Sequence, residues 1–377
     1  MNIFQRTYHR DLQKAYKRFS AGGGEIILDN VIGDIPDLQN YFENLRKNVN
    51  PDTRILISYH NHIWEPALNL ASTLGLRKKV GVQNWITQND LTNILSLSGF
   101  DVITSHKRFF GITAITIARP RIYDLRFKNK DYSVSIIVPA RNEEGNIAKI
   151  VSAIPKFGSW QEIVFIEGGS SDQTWEKIVE ITDRPTRPSL KLRRARQTGK
   201  GLPAGRQGKA DAVRLGFEKA KGDIIMIYDA DRTVPTTDLP KFYNALANNL
   251  GEFVNGSRLV YPMEGQAMQS LNKIGNRFFS CIFTWIFGQH FKDTLCGTKA
   301  IYRQDFLEMK RDYLKYLKVD PFGDFALIFA AIKHNLKVVE IPIRYKEREY
   351  GETNIRRFYH GLLLFKLAWI GLKEFKL

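Results

Sequence analysis

Asp229-Ala230-Asp231 sets two carboxylates two residues apart, directly after the apolar run Asp223-Ile-Ile-Met-Ile-Tyr228. On an extended segment alternate side chains share a face, so both acids could meet one divalent cation. Hard oxygen ligands suit Mg²⁺ or Mn²⁺, ions that keep coordination positions for a substrate's phosphates. The C-terminal edge of a strand is also where an open α/β sheet usually binds its ligand. Alone, the tripeptide reads equally well as a solvated turn or a helix cap, so its weight depends on what lies in register with it.

Two further apolar runs end in the same way. Val134-Ser-Ile-Ile-Val138 leads into Pro139-Ala-Arg-Asn-Glu143, and Glu162-Ile-Val-Phe-Ile166 into Glu167-Gly-Gly-Ser-Ser-Asp172. Three neighbouring strand ends carrying carboxylates, an amide and small residues would form a crevice suited to a nucleotide. Glu143 and Glu167 can accept from base and ribose hydroxyls, and Gly168 and Gly169 permit close backbone approach. The aspartate pair would hold a cation over the diphosphate, with Lys209 and Arg258 meeting the remaining charge.

These strands need helices between them. Residues 144–154 and 211–220 carry amphipathic patterns, and the runs themselves are nearly continuous, as in buried parallel strands. Shorter strands are expected at Phe253-Val254, Thr298-Lys-Ala-Ile301 and Val338-Val-Glu-Ile341. The pattern predicts an α/β domain with a doubly wound, mostly parallel sheet over residues 131–360. A polar stretch, Arg119 to Asp131, separates it from an earlier segment, residues 1–120. That segment has strand-like runs at 25–29, 54–58, 102–104 and 112–117, the last two a hairpin, with helical patterns at about 36–48, 65–75 and 88–98. It reads as a smaller, partial Rossmann-like α/β segment. Residues 361–377 form a C-terminal amphipathic helix.

Of 377 residues 43% are hydrophobic, enough for a full core. Cys281 and Cys296 provide no disulfide framework and read as buried free thiols. The first residues lack the apolar core of a secretory signal, and the apolar stretch 278–288 is too short to span a bilayer. The formal net charge of +17 fits nucleic acid, an anionic membrane or phosphorylated substrates. Between Asp183 and Asp211 stand nine basic residues and no acid; a second cluster comprises Arg344, Lys346, Arg348, Arg356 and Arg357. Both read as loops beside a site or as solvated basic surface. No nucleic-acid fold signature appears, so no nucleic-acid partner is expected. His60 and His62 follow a strand, but without a third ligand nearby a surface loop is the simpler reading.

Ile26-Ile-Leu-Asp-Asn-Val-Ile-Gly33, Trp64-Glu-Pro66, Gln83-Asn-Trp85 and Gly99-Phe-Asp101 resemble the C-terminal half of a class I S-adenosylmethionine-dependent methyltransferase, over roughly residues 20–118. Such enzymes hold the cofactor on a Gly-rich strand–turn–helix that should come first. Gly22-Gly-Gly24 has no strand before it, so methyl transfer by this chain alone is not expected.

The second segment resembles a family 2 glycosyltransferase of the GT-A fold, of the dolichyl-phosphate mannose synthase type. The resemblance rests on Ser135-Ile-Ile-Val-Pro-Ala-Arg-Asn-Glu-Glu144, Gly169-Ser-Ser-Asp-Gln-Thr174, Gly208-Lys209 and Gly222-Asp-Ile-Ile-Met-Ile-Tyr-Asp-Ala-Asp231. It extends through Asn255-Gly-Ser-Arg258, Asp293-Thr-Leu-Cys-Gly-Thr-Lys299 and Tyr350-Gly-Glu-Thr-Asn354. It implies that Pro139, Ala140, Arg141, Asn142, Glu143, Glu167, Gly168, Lys209, Asp229 and Ala230 surround a nucleotide sugar. Asp229 and Asp231 would hold Mg²⁺ or Mn²⁺, Arg258 and Arg348 would meet phosphate or acceptor, and Asp324 would stand at the position of a catalytic base. Three features depart from the family: Glu167-Gly168 replaces two aspartates, Arg232-Thr233 replaces Leu-Gln, and Arg196-Gln-Thr-Gly-Lys200 is nearly repeated at Arg206-Gln-Gly-Lys209 around a short insert.

Asp324 also reads as the N-cap of the helix that follows it. The apolar stretches 278–287 and 361–370 fit either packing on the sheet or a membrane interface, with Arg344, Arg348 and Arg356 facing anionic headgroups. The first is read as core and the second as interface. The sequence therefore argues for a cytoplasmic, peripherally membrane-associated hexosyltransferase using a GDP- or UDP-sugar, with a polyprenyl phosphate or a sugar hydroxyl as acceptor. A catalytically impaired nucleotide-sugar or membrane-binding protein, or a methyltransferase partner subunit, is the alternative.

Overall fold

A computed structural model describes residues 10–17, 24–50, 52–61, 64–76, 84, 86–108, 111–121, 131–185, 190–196, 208–260, 270–320, 323–348, 350 and 357–376. The chain divides into two compact units. One comprises Met1–Tyr123 with Phe287–Gln289 and Lys333–Asn335; the other holds the remainder.

The first unit contains β1 (Glu25–Asp29), α1 (Leu38–Lys47), β2 (Arg54–His60), α2 (Glu65–Thr73), α3 (Gln88–Leu97), β3 (Phe100–Arg108) and β4 (Thr113–Pro120). Its four strands lie in the order β1-β2-β4-β3, with β1 and β2 parallel and β4 antiparallel to both neighbours. The expected hairpin is β3–β4. Leu28, Phe42, Ile55, Ile57, Leu95 and Phe100 pack one core. The helical residues 10–17 cover the other face through Leu12, Ala15 and Tyr16, and the Tyr16 hydroxyl donates to Asp29 Oδ1 at 2.7 Å. A capping box starts α3: Thr87 Oγ1 accepts from the Asp90 amide, and the Asp90 carboxylate accepts from Thr87 N–H.

The second unit contains β5 (Val134–Ala140), α4 (Glu144–Ala153), β6 (Gln161–Glu167), α5 (Thr174–Thr182), β7 (Leu190–Arg196), α6 (Lys209–Lys219), β8 (Ile224–Ile227), α7 (Leu239–Ala247), β9 (Phe253–Ser257), α8 (Ser270–Phe287), β10 (Lys299–Tyr302), α9 (Arg303–Leu317), α10 (Asp324–Lys333), β11 (Val338–Pro342) and α11 (Arg357–Phe375). Seven strands form one sheet in the order β11-β9-β10-β8-β5-β6-β7. The run β8-β5-β6-β7 is parallel, and its inner strands β8, β5 and β6 are buried on both faces and largely apolar. The expected fold class, an α/β protein with a doubly wound, mostly parallel sheet behind a smaller α/β segment, is the one observed.

Two orientations decide what reaches the C-terminal edge of this sheet. β10 runs antiparallel to β8, pairing Lys299 with Ile227, so the start of β10 lies beside the end of β8. β11 is parallel to β9, so the chain leaves β11 at that same edge. Residues 343–348 then cross it, with Lys346 N–H donating to Thr233 O at 2.8 Å.

Several expectations change. β7 is a strand where the sequence suggested a basic loop. It is an edge strand whose Arg193 and Arg196 pair with the buried Glu162 and Glu167 at 3.0 and 2.8 Å; a charged edge also discourages strand-to-strand aggregation. Much of the basic run is therefore neutralised inside its own unit. The near-repeat insert falls outside the described residues, as do His62, Gly22, Gly23, Arg356 and residues 351–354. Cys296 is buried as expected, but Cys281 is exposed, because it lies on the outer side of α8. No helix among the described residues is long and apolar enough to cross a membrane.

α6 crosses β5 at Gly216, where an added Cβ would come within 2.1 Å of Ile137 Cγ2. Relief of a mid-helix glycine is worth at most about 1 kcal/mol, whereas overpacking a rigid core typically costs about 1–3 kcal/mol. Gly216→Val should therefore destabilise the protein by roughly 2 kcal/mol; an unchanged urea midpoint would contradict this packing.

Candidate functional site

The loops after β5 and β6 are built on each other. Asn142 has φ 56°, a region that asparagine tolerates better than most residues. Its amide N–H donates to Ser170 Oγ at 3.1 Å, and its Oδ1 accepts from Ser171 N–H at 2.8 Å. Glu143 N–H donates to Thr174 Oγ1 at 2.8 Å and Gln173 N–H to Glu144 Oε2 at 2.9 Å. Pro139, Ala140 and Arg141 thus enter a rigid turn, with Gly168 held by its N–H donating to Ala140 O at 2.9 Å. Gly169 takes φ 77°, which glycine adopts without strain.

Glu167 is fully buried. One carboxylate oxygen accepts from Ser170 N–H and the other from Arg196 Nε. It holds the turn, and Arg196, half-exposed and lying 5.2 Å over the Trp175 ring, is the group it shows to solvent. Sequence reasoning did not assign Arg196 a role; the signal was an arginine three strands from the acid pair, at the end of a run read as a loop.

Asp229 and Asp231 are not both on an extended strand. β8 stops at Ile227, and although Tyr228 N–H still donates to Ile137 O, Ala230 and Asp231 lie in a turn. Asp231 Oδ1 accepts from the N–H of Thr233 at 3.1 Å and from its hydroxyl at 2.9 Å, and Arg232 has φ 58°. This carboxylate-to-backbone bond two residues on is the Asx turn, which competes with strand continuation. Thr233, which departs from the family pattern, positions Asp231.

Each carboxylate meets a cation. Lys209, at the start of α6, places Nζ 2.8 Å from Asp229 and 3.9 Å from Asp324. Arg348 reaches Asp231 at 2.8 Å and Glu143 at 3.7 Å. Lys299, buried on β10, lies 3.3 Å from Asp324 and donates to Cys296 O. Burial alone would lower the pKa of Lys209, but Asp229 and Asp324 outweigh it and hold the ammonium above its usual range. Four carboxylates (Glu143, Asp229, Asp231, Asp324) thus face three cations within one network. Lys299 was read as part of a strand and of a motif carrying the resemblance, without a role of its own; a lysine inside an apolar run was its signal.

Asp324 is not an N-cap acceptor. It opens α10, and Asp320 Oδ2 instead accepts from Ala326 N–H at 2.9 Å. Arg258 has a different partner. Its guanidinium forms a fork with the fully buried Asp293 at 2.7 and 2.9 Å and stacks over Tyr345. Burial pushes the Asp293 pKa up, but Arg258 and Asn276 more than reverse this, to about 2. Arg348 faces the carboxylates of the crevice instead of membrane headgroups.

The donor set suits a hard divalent ion through Asp229 and Asp231. Among the described residues no three His, Cys, Asp or Glu side chains gather as a metal site, so other ligands would have to come from substrate or water. Space is kept by Gly297, where a Cβ would stand 2.1 Å from Asp229 Oδ2 and 2.4 Å from Lys209 Nζ.

Residues 135–309 match the family model described as "Glycosyl transferase family 2". Apart from residues 287–289, this match lies within the second unit. Among curated proteins, the chain is 29% identical over 236 residues to a glycosyltransferase of Haloferax volcanii, covering 62% of this chain and 70% of that protein. It is 27% identical to the dolichol-phosphate mannosyltransferase of Pyrococcus furiosus, covering 59% of each. It is 26% identical to a UDP-N-acetylglucosamine–dolichyl-phosphate N-acetylglucosaminyltransferase of Methanococcus voltae, covering 63% of this chain and 98% of that one. Among solved structures, a mannosyltransferase of Pyrobaculum calidifontis, in complex with GDP-Man and Mn²⁺, aligns with a TM-score of 0.42 and 19% identity, covering 62% of this chain and 61% of that one.

Glu143 provides a pH test of the crevice. Burial is the main cause of its pKa rising from 4.5 to about 7, opposed by Asn146 and Arg348 and assisted by Asp231 and Asp172. The folded state then holds a proton that the unfolded state has lost, so stability falls as pH rises from about 4.5 to about 7. Relative to Glu143→Gln, the wild type should lose at most about 3 kcal/mol across that window. A stability difference that stays flat with pH would contradict the buried carboxyl.

Proposed function

We propose that the second unit is a divalent-metal-dependent GT-A glycosyltransferase that moves a hexose from a GDP- or UDP-sugar to a polyprenyl phosphate or a sugar hydroxyl. One observation carries the reading: the C-terminal edge of β5, β6 and β8 gathers four carboxylates balanced within one charge by Lys209, Lys299 and Arg348. A crevice so nearly neutral offers no net positive field to a free diphosphate. A nucleotide diphosphate would therefore bind together with its own divalent cation.

In this reading Pro139, Ala140, Arg141, Asn142, Glu143, Gly168 and Ala230 form the nucleotide-sugar wall, and Glu167 keeps the turn at 168–170 in place. Asp229 and Asp231 would hold Mg²⁺ or Mn²⁺, whose charge would neutralise a departing nucleoside diphosphate. Lys209 and Arg348 exchange carboxylate oxygens for phosphate oxygens as the donor enters. Arg258, anchored by Asp293, shapes the neighbouring wall at the end of β9. A phosphate acceptor arrives ionised and needs no base, and Asp324 then serves to orient Lys209 and Lys299. A hydroxyl acceptor would require Asp324 to accept the proton, and its pairing with Lys299 and Lys209 opposes that role. The acceptors of the Pyrococcus and Methanococcus relatives support the lipid-phosphate choice. The first unit is read as a partial Rossmann-like α/β segment.

Titration of GDP- and UDP-sugars in the presence of Mn²⁺, Mg²⁺ or EDTA tests the proposal. Binding should require the metal, and Asp231→Asn should lower transfer by roughly a thousandfold or more while leaving thermal unfolding little changed. Near-normal turnover by folded Asp231→Asn would sink the metal role.

A further inference from the structure

β7 carries three arginines, and two of them are tied down by a terminal nitrogen. Arg193 Nη1 donates to Glu162 Oε2 at 3.0 Å and to Lys219 O at 2.6 Å; Arg194 Nη1 donates to Asp183 Oδ1 at 2.6 Å and to the Thr182 hydroxyl. Arg196 is held differently. Its Nε donates to Glu167 Oε2 at 2.8 Å, and its guanidinium lies over the Trp175 ring, 5.2 Å from the centroid. The side chain is 50% exposed, and among the described residues its two terminal nitrogens make no hydrogen bond.

The Glu167 carboxylate fixes the guanidinium within its plane, and the Trp175 ring fixes the plane itself. A planar fork held in this way has little freedom left to lose when it donates. It can give two parallel N–H bonds to a pair of adjacent acceptors. Glu167 cancels the charge of the guanidinium, so the fork suits a neutral acceptor pair better than a second anion. Glu167 spends its other oxygen on the Ser170 amide and, being fully buried, cannot accept from a ligand itself. Glu167-Gly168, which departs from the family pattern, thus puts a donating group where an accepting one was expected.

Register places the fork. Ala140, Glu167 and Arg196 pair in one row across the ends of β5, β6 and β7, and β8 reaches the same edge on the far side of β5. Neighbouring strands lie about 4.8 Å apart, so Arg196 stands three spacings, about 14 Å, from the strand that delivers Asp229 and Asp231. A nucleoside diphosphate covers about that span from its phosphates to the outer edge of its base. With the phosphates at the aspartate pair and the nucleoside along the loops after β5 and β6, the base ends at β7.

We propose that Arg196 reads the donor's base through the O6 and N7 acceptors of guanine, so that the site selects GDP over UDP. Guanine sets these acceptors side by side, and an arginine meets them with two parallel bonds. In uracil an N–H separates the two carbonyls, so the fork reaches one acceptor and turns its other N–H toward a donor. The assignment rests on the transferase reading of the same crevice and goes beyond it in choosing the base and the edge by which it is read.

Calorimetric titration of the full chain with nucleoside diphosphates in saturating Mn²⁺ tests the assignment. Wild type should bind GDP about tenfold or more tightly than UDP or CDP. 7-Deazaguanosine diphosphate, in which carbon replaces N7, should bind about tenfold more weakly than GDP, because one N–H of the fork is left unpaired. Inosine diphosphate, which lacks only the 2-amino group, should bind as GDP does. Arg196→Lys keeps a cation beside Glu167 but loses the fork. It should bind GDP about tenfold more weakly and no longer distinguish GDP from the 7-deaza analogue. The analogue series on wild type stands whether or not the variant folds. Equal binding of GDP and UDP, tighter binding of CDP, or equal binding of GDP and its 7-deaza analogue overturns the role of Arg196 and leaves the transferase reading intact. A loss with inosine diphosphate alone overturns it in favour of a carboxylate reading the opposite edge. Failure of every nucleoside diphosphate to bind overturns the transferase reading, and this assignment with it.

Discussion

Carboxylate crowding at one end of a sheet is the constraint around which the second unit is organised. Glu143, Asp229, Asp231 and Asp324 cannot all remain ionised in a half-buried crevice without compensation, because like charges a few ångströms apart repel strongly where water is scarce. The fold supplies that compensation from three places: the first turn of α6 (Lys209), an antiparallel strand (Lys299), and the segment that follows β11 (Arg348). Glu143, the acid with the weakest partner, has the raised pKa. Isolated removal of a partner from such a network usually costs more than the pair contributes, since it leaves a charge buried alone.

The same constraint relates structure to the proposed chemistry. A network so close to neutral can admit an anionic diphosphate only if positive charge arrives with it or protein cations change partners. Lys209 and Arg348 can change partners, being about 30% exposed, whereas Lys299 is nearly inaccessible. Movement is therefore expected of the first two, while Lys299 remains a fixed support. Arg258 and Asp293 form a separate locked pair beside this network, rigid because the fully buried aspartate is also bonded to Asn276 and to the Arg258 amide.

Much of the second unit could be read directly. Continuous apolar runs ending in small and acidic residues gave β5, β6 and β8, and the same runs gave the edge at which their loops meet. The first unit was legible as alternating strands and helices, with its final hairpin. β7 was missed because its arginines resemble a loop when read locally; it is a strand because Glu162 and Glu167, buried on β6, draw Arg193 and Arg196 onto the sheet. The turn at Asp231 was misread as strand because the deciding contact is a side-chain bond to Thr233, not a propensity. The exposure of Cys281 was missed because an apolar helix does not show in its sequence which side will be covered.

The sequence by itself determined which residues could do chemistry, for spacing and residue type are local properties: an acid pair after a strand, an Asn-Glu turn, a lysine opening a helix. Only the tertiary structure decided their partners. Arg348 lies 117 residues from Asp231, and Lys299 lies 25 residues before Asp324 on a strand that runs opposite to its neighbours. Charge pairing acts through space, so the assignment of cations to carboxylates was fixed when the direction of β10 and the exit of β11 were fixed, which no local pattern encodes.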